Sequence, residues 1–204
     1  PMGVRLAKEE IEALAGLGPP LVSDEIYHGL SYGERDYSAL EFSDEAFIIN
    51  GFSKYFAMTG WRLGYLIVPE RFVRSLEILQ QNYFVSPNSF VQQAGIAALR
   101  EAVPAAEKMR DIYANRRITM MQGLKSIGLP VHREPDGAFY AFADAHQFSP
   151  NSLVLAREIL EATGVAVAPG ADFGPGGEGY LRFSYCNSVE NIETALERVG
   201  RYLA

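Results

Sequence analysis

Cysteine is almost missing from this sequence. The single thiol, Cys186, leaves no pair to form a disulfide within the chain. That fits a reducing, cytoplasmic setting. Histidine is scarce as well. His28, His132 and His146 are not spaced as metal ligands, and no cysteine stands near enough to complete a site. No apolar run approaches the roughly 20 residues needed to span a bilayer as a helix. The opening Pro1-Met2-Gly3-Val4-Arg5 is followed by no apolar segment, so it does not read as a signal peptide. Positive charge is in deficit. Eighteen Lys and Arg stand against 25 Asp and Glu, a net charge of −7, which argues against a nucleic-acid or anionic-membrane partner. Internal repeats and low-complexity segments are absent too.

What is present is the composition of a packed protein. Hydrophobic residues make up 48% and charged residues 21% of 204. That length suits one large domain or two small ones with a real core. Ile11, Leu14 and Leu17 recur at helical spacing over residues 7–17, and Gly18 with two prolines ends the pattern. Three short apolar strands are expected next. The first is Leu21-Val22-Ser23, ending at Asp24. The second is Phe47 to Asn50, ending at Gly51. The third is Leu63 to Val68, stopped by Pro69. They lack polar alternation, which implies an α/β protein whose sheet is covered on both faces. Helices are expected over 71–84, 88–102 and 105–127. Ser86, Asn88 and Ser89 open the second of these, where capping is the expected role and contact with an anion the alternative. A strand over 137–142, a helix over 152–163, strands at Val165–Val167 and Tyr180–Ser184, and a helix over 189–203 complete the chain. This divides the chain into a mostly parallel α/β part, residues 1–102, and a smaller α+β part, residues 103–204.

The chemistry concentrates in Gly51-Phe52-Ser53-Lys54-Tyr55-Phe56-Ala57-Met58-Thr59-Gly60-Trp61-Arg62-Leu63-Gly64. A lysine and an arginine flanking an ordinary loop would be surface charges. Here the lysine sits on a small-residue turn after a strand, the arginine follows eight residues later, and glycines stand at both ends. The whole stretch resembles the lysine motif of the class I/II, fold type I, pyridoxal-phosphate-dependent aminotransferases. Val22-Ser23-Asp24-Glu25-Ile26-Tyr27 resembles the D-x-x-Y element of that family. Tyr180-Leu181-Arg182-Phe183-Ser184, Gly137-Ala138-Phe139-Tyr140 and Pro169-Gly170-Ala171-Asp172-Phe173-Gly174 resemble its small domain.

The resemblance implies a function and a set of roles. The cofactor is pyridoxal 5′-phosphate, and Lys54 forms its Schiff base, then serves as general base once freed. Asp24 pairs with the pyridine nitrogen so that the ring can accept electrons. Tyr27 bonds the ring's phenolic oxygen. Arg62 holds the phosphate with a rigid fork, helped by Ser53. Arg182 binds the α-carboxylate of an amino acid or 2-oxo acid; a structural ion pair is the plainer alternative for it. Asp24 alone would read as a turn residue, and Tyr27 as a core tyrosine. The implied reaction moves an amino group from an amino acid to a 2-oxo acid, in a cytoplasmic homodimer. The same cofactor also allows lyase or decarboxylase chemistry, and aminotransferase-like sensor domains without catalysis exist.

Two departures from the pattern stand out. Many family members have a phosphate-binding serine where this chain has Gly51. The family also carries upstream residues: a ring-stacking aromatic, a glycine-rich phosphate turn, and an asparagine before Pro-x-Gly. This chain starts on Pro1-Met2-Gly3. The resemblance therefore implies the C-terminal half of the family plan, a mixed and mostly parallel sheet portion followed by the small domain, and a piece that is inactive alone.

Overall fold

A computed structural model describes residues 1–204. The chain divides into two compact units, one spanning Arg5–Arg110 and the other Pro1–Val4 with Asp111–Ala204.

The first unit opens with α1 (Lys8–Ala15), which buries Ile11. The Glu10 carboxylate accepts the Ala7 N–H at 2.7 Å, satisfying one of the orphan donors of the first turn. Then come β1 (Val22–Asp24), β2 (Phe47–Gly51) and β3 (Gly64–Ile67). They form one sheet in the order β1-β2-β3. β1 runs parallel to β2, and β3 runs antiparallel to β2, so the sheet is mixed. The register sets Asp24 beside Ile49 and Gly51 beside Gly64. The end of β1, the end of β2 and the start of β3 therefore share one edge of the sheet. The core beneath holds Ile11, Ala39, Ala46 and Ile48, packed by Leu21, Tyr37 and Phe42. At about 1.5–3 kcal/mol for each large aliphatic side chain buried, this cluster fixes which face of α1 turns inward.

α2 (Glu70–Tyr83) and α3 (Ser89–Glu101) follow. α3 buries Val91, Gly95 and Ala98. A Cβ on Gly95 would lie 2.5 Å from the Leu63 side chain and 3.3 Å from Phe52, so the helix needs glycine there to approach the loop after β2. Asn88 is the N-cap of α3, but its side chain makes no capping bond, contrary to the expectation for this turn. A second correction concerns cover. All four residues of β3 are exposed, and α2 buries none of its own. Apolar runs report a strand's composition, whereas cover depends on what the rest of a fold places against it.

The second unit contains most of α4 (Val103–Ser126), then β4 (Tyr140–Asp144), α5 (Ser152–Thr163), β5 (Ala168–Pro169), β6 (Tyr180–Ser184) and α6 (Val189–Leu203). Its antiparallel sheet has the order β4-β6-β5. Ala141, Ala143, Leu181 and Phe183 are buried along one side. Buried Leu155 and Ile159 of α5 and Ile192, Leu196 and Val199 of α6 supply the matching helical faces. α5 is capped at its start by Asn151, whose side chain accepts the Val154 N–H at 3.0 Å, and closed by Gly164 at φ 72°. The strand expected at Val165–Val167 sits three residues later, because only Ala168 and Pro169 find ladder partners on β6. Gly3 tucks against this unit. Its carbonyl accepts the Gly137 N–H at 2.8 Å, and a Cβ there would lie 2.8 Å from the Tyr140 carbonyl oxygen. No helix of the chain is long and apolar enough to cross a membrane.

Candidate functional site

The shared sheet edge of the first unit carries five of the six residues singled out in the sequence. Asp24 ends β1 and is exposed. One of its carboxylate oxygens accepts the Ile26 N–H at 3.1 Å, so it shapes the turn as well as ending the strand. The half-buried Tyr27 lies in that turn. Lys54 follows β2 by three residues and is also half-buried. Its Nζ stands 5.6 Å from the centre of the Tyr27 ring, within cation–π reach. The two loops touch again one step further on. Gly29 has φ 88°, and a Cβ there would come within 2.6 Å of the Tyr55 ring. Only glycine allows both that backbone conformation and that approach.

The loop from Gly51 to Gly64 is fixed by its own bonds. The Met58 N–H donates to the Phe52 carbonyl and the Ala57 N–H to the Lys54 carbonyl, both at 3.0 Å. The Thr59 hydroxyl donates to the Ser53 carbonyl at 2.7 Å. Ala57 and Arg62 adopt left-handed backbone conformations, φ 53° and 54°. Non-glycine residues rarely take that region, and such strain gathers at functional loops. The Arg62 guanidinium donates to the Thr59 carbonyl at 2.9 Å and has no carboxylate partner. A fork so placed is free to take an anion.

Gly51 explains its own departure from the common serine. A Cβ there would lie 2.9 Å from the Leu63 carbonyl oxygen and 3.0 Å from the Gly64 Cα. The β2–β3 ladder is too close at this point for a side chain. We expect Gly51→Ser in the intact protein to lower stability by about 1–3 kcal/mol, as overpacking does. No gain in phosphate binding should accompany it. Urea unfolding and cofactor retention after dialysis read the two effects separately; tighter retention at unchanged stability would sink the steric account.

Sequence reasoning missed Glu25, which is 4% exposed. Its carboxylate accepts the Ala39 N–H at 2.9 Å and the Ser38 hydroxyl at 3.0 Å, and it pairs with His28 Nδ1 at 3.2 Å. It thereby pins the turn that carries Asp24 and Tyr27 onto the body of the unit. The Glu25-x-x-His28 spacing was a usable signal, but Ser38 and Ala39 are too distant in sequence to be seen. Burial pushes this carboxyl up, yet the bonds from His28, Ala39 and Ser38 outweigh it, and the net shift is downward. A depressed carboxyl stabilises the fold above its unfolded value of about 4.3 and loses that contribution as pH falls. Glu25→Ala, which strands the buried Ala39 N–H and the half-buried Ser38 hydroxyl, should cost about 2–4 kcal/mol at pH 7. The difference should shrink below about pH 4, and a pH-independent difference in unfolding free energy would refute the assignment.

Arg182 lies in the second unit, on β6. No ion pair or hydrogen bond within the chain engages it. Its guanidinium carbon instead stands 4.1 Å from the Tyr140 ring centre and 4.4 Å from that of Phe173. The structural ion pair considered for it is not formed. Elsewhere in this unit His132 and His146 bond the two oxygens of Asp144, at 2.8 and 2.7 Å. The His132 bond chiefly, with the His146 contacts, holds that carboxyl at about 2. No group of three potential ligands could hold a metal ion.

The donor set of the first unit fits pyridoxal phosphate. It offers an amine beside a phenol, a carboxylate at the end of a strand, and an unpaired guanidinium on a strained turn. All stand at strand ends, where open α/β sheets bind ligands.

Comparisons with known proteins point to one family. The chain is 38% identical to a valine–pyruvate aminotransferase of Mycobacterium tuberculosis over 211 residues, covering 100% of this chain and 54% of the relative. It is 40% identical to an aspartate/prephenate aminotransferase of Thermus thermophilus, covering 100% of this chain and 54% of that protein. A crystal structure of an aminotransferase from Mycobacterium tuberculosis superposes with a TM-score of 0.94 at 38% identity, covering 100% of this chain and 55% of that one. The chain thus spans about half the length of the curated relatives it matches. The family described as aminotransferase class I and II matches residues 1–199, and the chain belongs to that family.

Proposed function

We propose that the protein carrying this chain is a pyridoxal-phosphate-dependent aminotransferase that moves an amino group from an amino acid to a 2-oxo acid. The observation that carries this reading is the loop from Gly51 to Gly64, which sets the Lys54 amine against Tyr27 and leaves Arg62 without a carboxylate partner. The relatives named above carry aminotransferase names, which supports the same reading.

When bound, pyridoxal phosphate supplies an aldehyde carbon and an electron-accepting ring. Lys54 is the residue that would link to it. Its amine would then carry a proton between the substrate α-carbon and the carbon that receives the amino group. Asp24, a carboxylate at a strand end, would keep a proton on the ring nitrogen. Tyr27 would donate a hydrogen bond to the ring's phenolic oxygen. Arg62 would take the phosphate through parallel N–H bonds, with the Ser53 hydroxyl assisting. Arg182 would receive the substrate carboxylate.

In this reading residues 1–102 are the C-terminal portion of the large cofactor-binding domain, and 103–204 form the small domain. The net charge of −7 disfavours nucleic acid or anionic membranes as partners. A cytoplasmic homodimer completes the proposal.

The test is an assay of the intact protein with the common L-amino acids, with pyruvate or 2-oxoglutarate as acceptor. Amino-group transfer that needs the acceptor is expected. Release of ammonia or carbon dioxide without an acceptor would instead identify a lyase or a decarboxylase.

A further inference from the structure

We propose that Tyr140 and Phe173 are positioning residues for the substrate carboxylate, acting through Arg182. This rests on the reading of Arg182 as the substrate clamp.

The Arg182 guanidinium lies over two aromatic rings. Arg182 stands opposite Phe142 on β4 and Ala168 on β5. Tyr140 comes from the start of β4, and Phe173 from the single turn of 3-10 helix after β5. The rings of Tyr140 and Phe173 lie 4.1 and 4.4 Å from the guanidinium carbon. A second tier supports Phe173. Phe142 meets Phe173 edge-on at 6.0 Å and stacks on Tyr180 at 4.9 Å, nearly parallel at 7°.

A guanidinium has two chemically different surfaces. Its faces are weakly hydrated and attracted to aromatic rings; its edge carries all five N–H donors. Arg182 has aromatic partners and no polar one. Its donors are therefore uncommitted to the chain, while the plane that bears them is restrained. An acidic residue could also restrain an arginine, but it would occupy the same donors and compete with an incoming carboxylate. Aromatic neighbours orient the fork and leave its charge for the ligand. They also limit side-chain freedom before binding, so less is lost when the carboxylate docks. The two rings thereby favour a planar, two-oxygen anion arriving at the guanidinium edge.

The experiment uses the intact protein with its best amino-acid substrate from the common twenty, and pyruvate as the carboxylate probe. Phe173→Leu and Tyr140→Leu keep apolar bulk and remove the ring. Each should raise KM about five- to twentyfold while kcat changes less than about threefold, in line with a lost cation–π contact. The absorption spectrum of the bound cofactor and the thermal midpoint should stay put. Phe173→Tyr, which restores a ring, should return KM to within about twofold. Pyruvate should protect Arg182 from phenylglyoxal, mapped by peptide mass. Each leucine variant should need several-fold more pyruvate for equal protection.

Arg182→Ala separates the two layers of the argument. If it leaves KM unchanged and pyruvate protects nothing, the clamp reading falls, and this inference with it. If it raises KM strongly while both leucine variants match the parent, the clamp stands and the positioning role is overturned. Should one leucine variant fail to fold, the other decides.

Discussion

Borohydride reduction of the intact protein is expected to leave a pyridoxyl group on Lys54, and Lys54→Ala to abolish amino-group transfer. The chain offers three other lysines, Lys8, Lys108 and Lys125. Lys8 begins α1, and Lys108 and Lys125 lie within α4; Lys54 alone follows a strand at the edge that carries Asp24 and Tyr27. Peptide mapping after reduction therefore discriminates cleanly, and a label on any other lysine removes the assignment. The loss on substitution should be at least about 10⁴-fold in kcat. A positioned general base alone contributes about 10²–10⁴-fold, and the same amine is also the proposed attachment point. The structure predicts where the damage stops. The Lys54 backbone carbonyl accepts the Ala57 N–H, and alanine keeps that bond. Stability without cofactor should fall by no more than about 1 kcal/mol, the scale of the lost contact with the Tyr27 ring. Activity retained within tenfold would sink the catalytic role.

How much of this was visible in the sequence depends on the range of the interactions involved. α6 spans Val189–Leu203, as its 3.6-residue period indicates, because amphipathic spacing and the Ser188 cap are local signals. The strands that end at Asp24 and Gly51 were legible for the same reason, and the loop between Gly51 and Gly64 stood out by motif. β5 was misplaced by three residues, because a strand exists only where a partner pairs with it, and β6 lies more than ten residues away. The exposure of β3 and α2 is likewise invisible in composition. Arg62's left-handed backbone, the anchoring of Glu25 to Ser38 and Ala39, and the rings around Arg182 are all products of tertiary contact. Residue identity pointed to the chemistry; how each group is held depends on the fold. Gly51 shows the limit most clearly. As a letter it was a missing serine, and in the fold it is the only side chain size that fits between Leu63 and Gly64.

Residues 1–204 expressed alone are expected to aggregate, to bind no cofactor and to catalyse nothing. The argument starts from the surface of the first unit. Leu66 on β3 is 55% exposed and Val22 on β1 is 61% exposed. β1 and β3 are the two edges of a three-stranded sheet, so each presents a row of unpaired backbone groups next to apolar side chains. Such edges recruit other chains. α2 adds Val73, Ile78 and Leu79 to the exposed apolar surface, and the turn after it adds Phe84 and Val85, both over 70% exposed. Apolar patches of this extent are rare on soluble monomers and mark surfaces that are covered in the working protein. The second unit is built differently. Its three strands pair with one another, and residues from α5 and α6 are buried with its sheet. Residues 111–204 alone should therefore stay soluble and show helical and strand circular dichroism at concentrations where 1–204 precipitates. Sedimentation, bound-cofactor absorbance and a transamination assay on both pieces decide the matter. A soluble, monomeric, cofactor-bound and active 1–204 would show that this surface needs no cover.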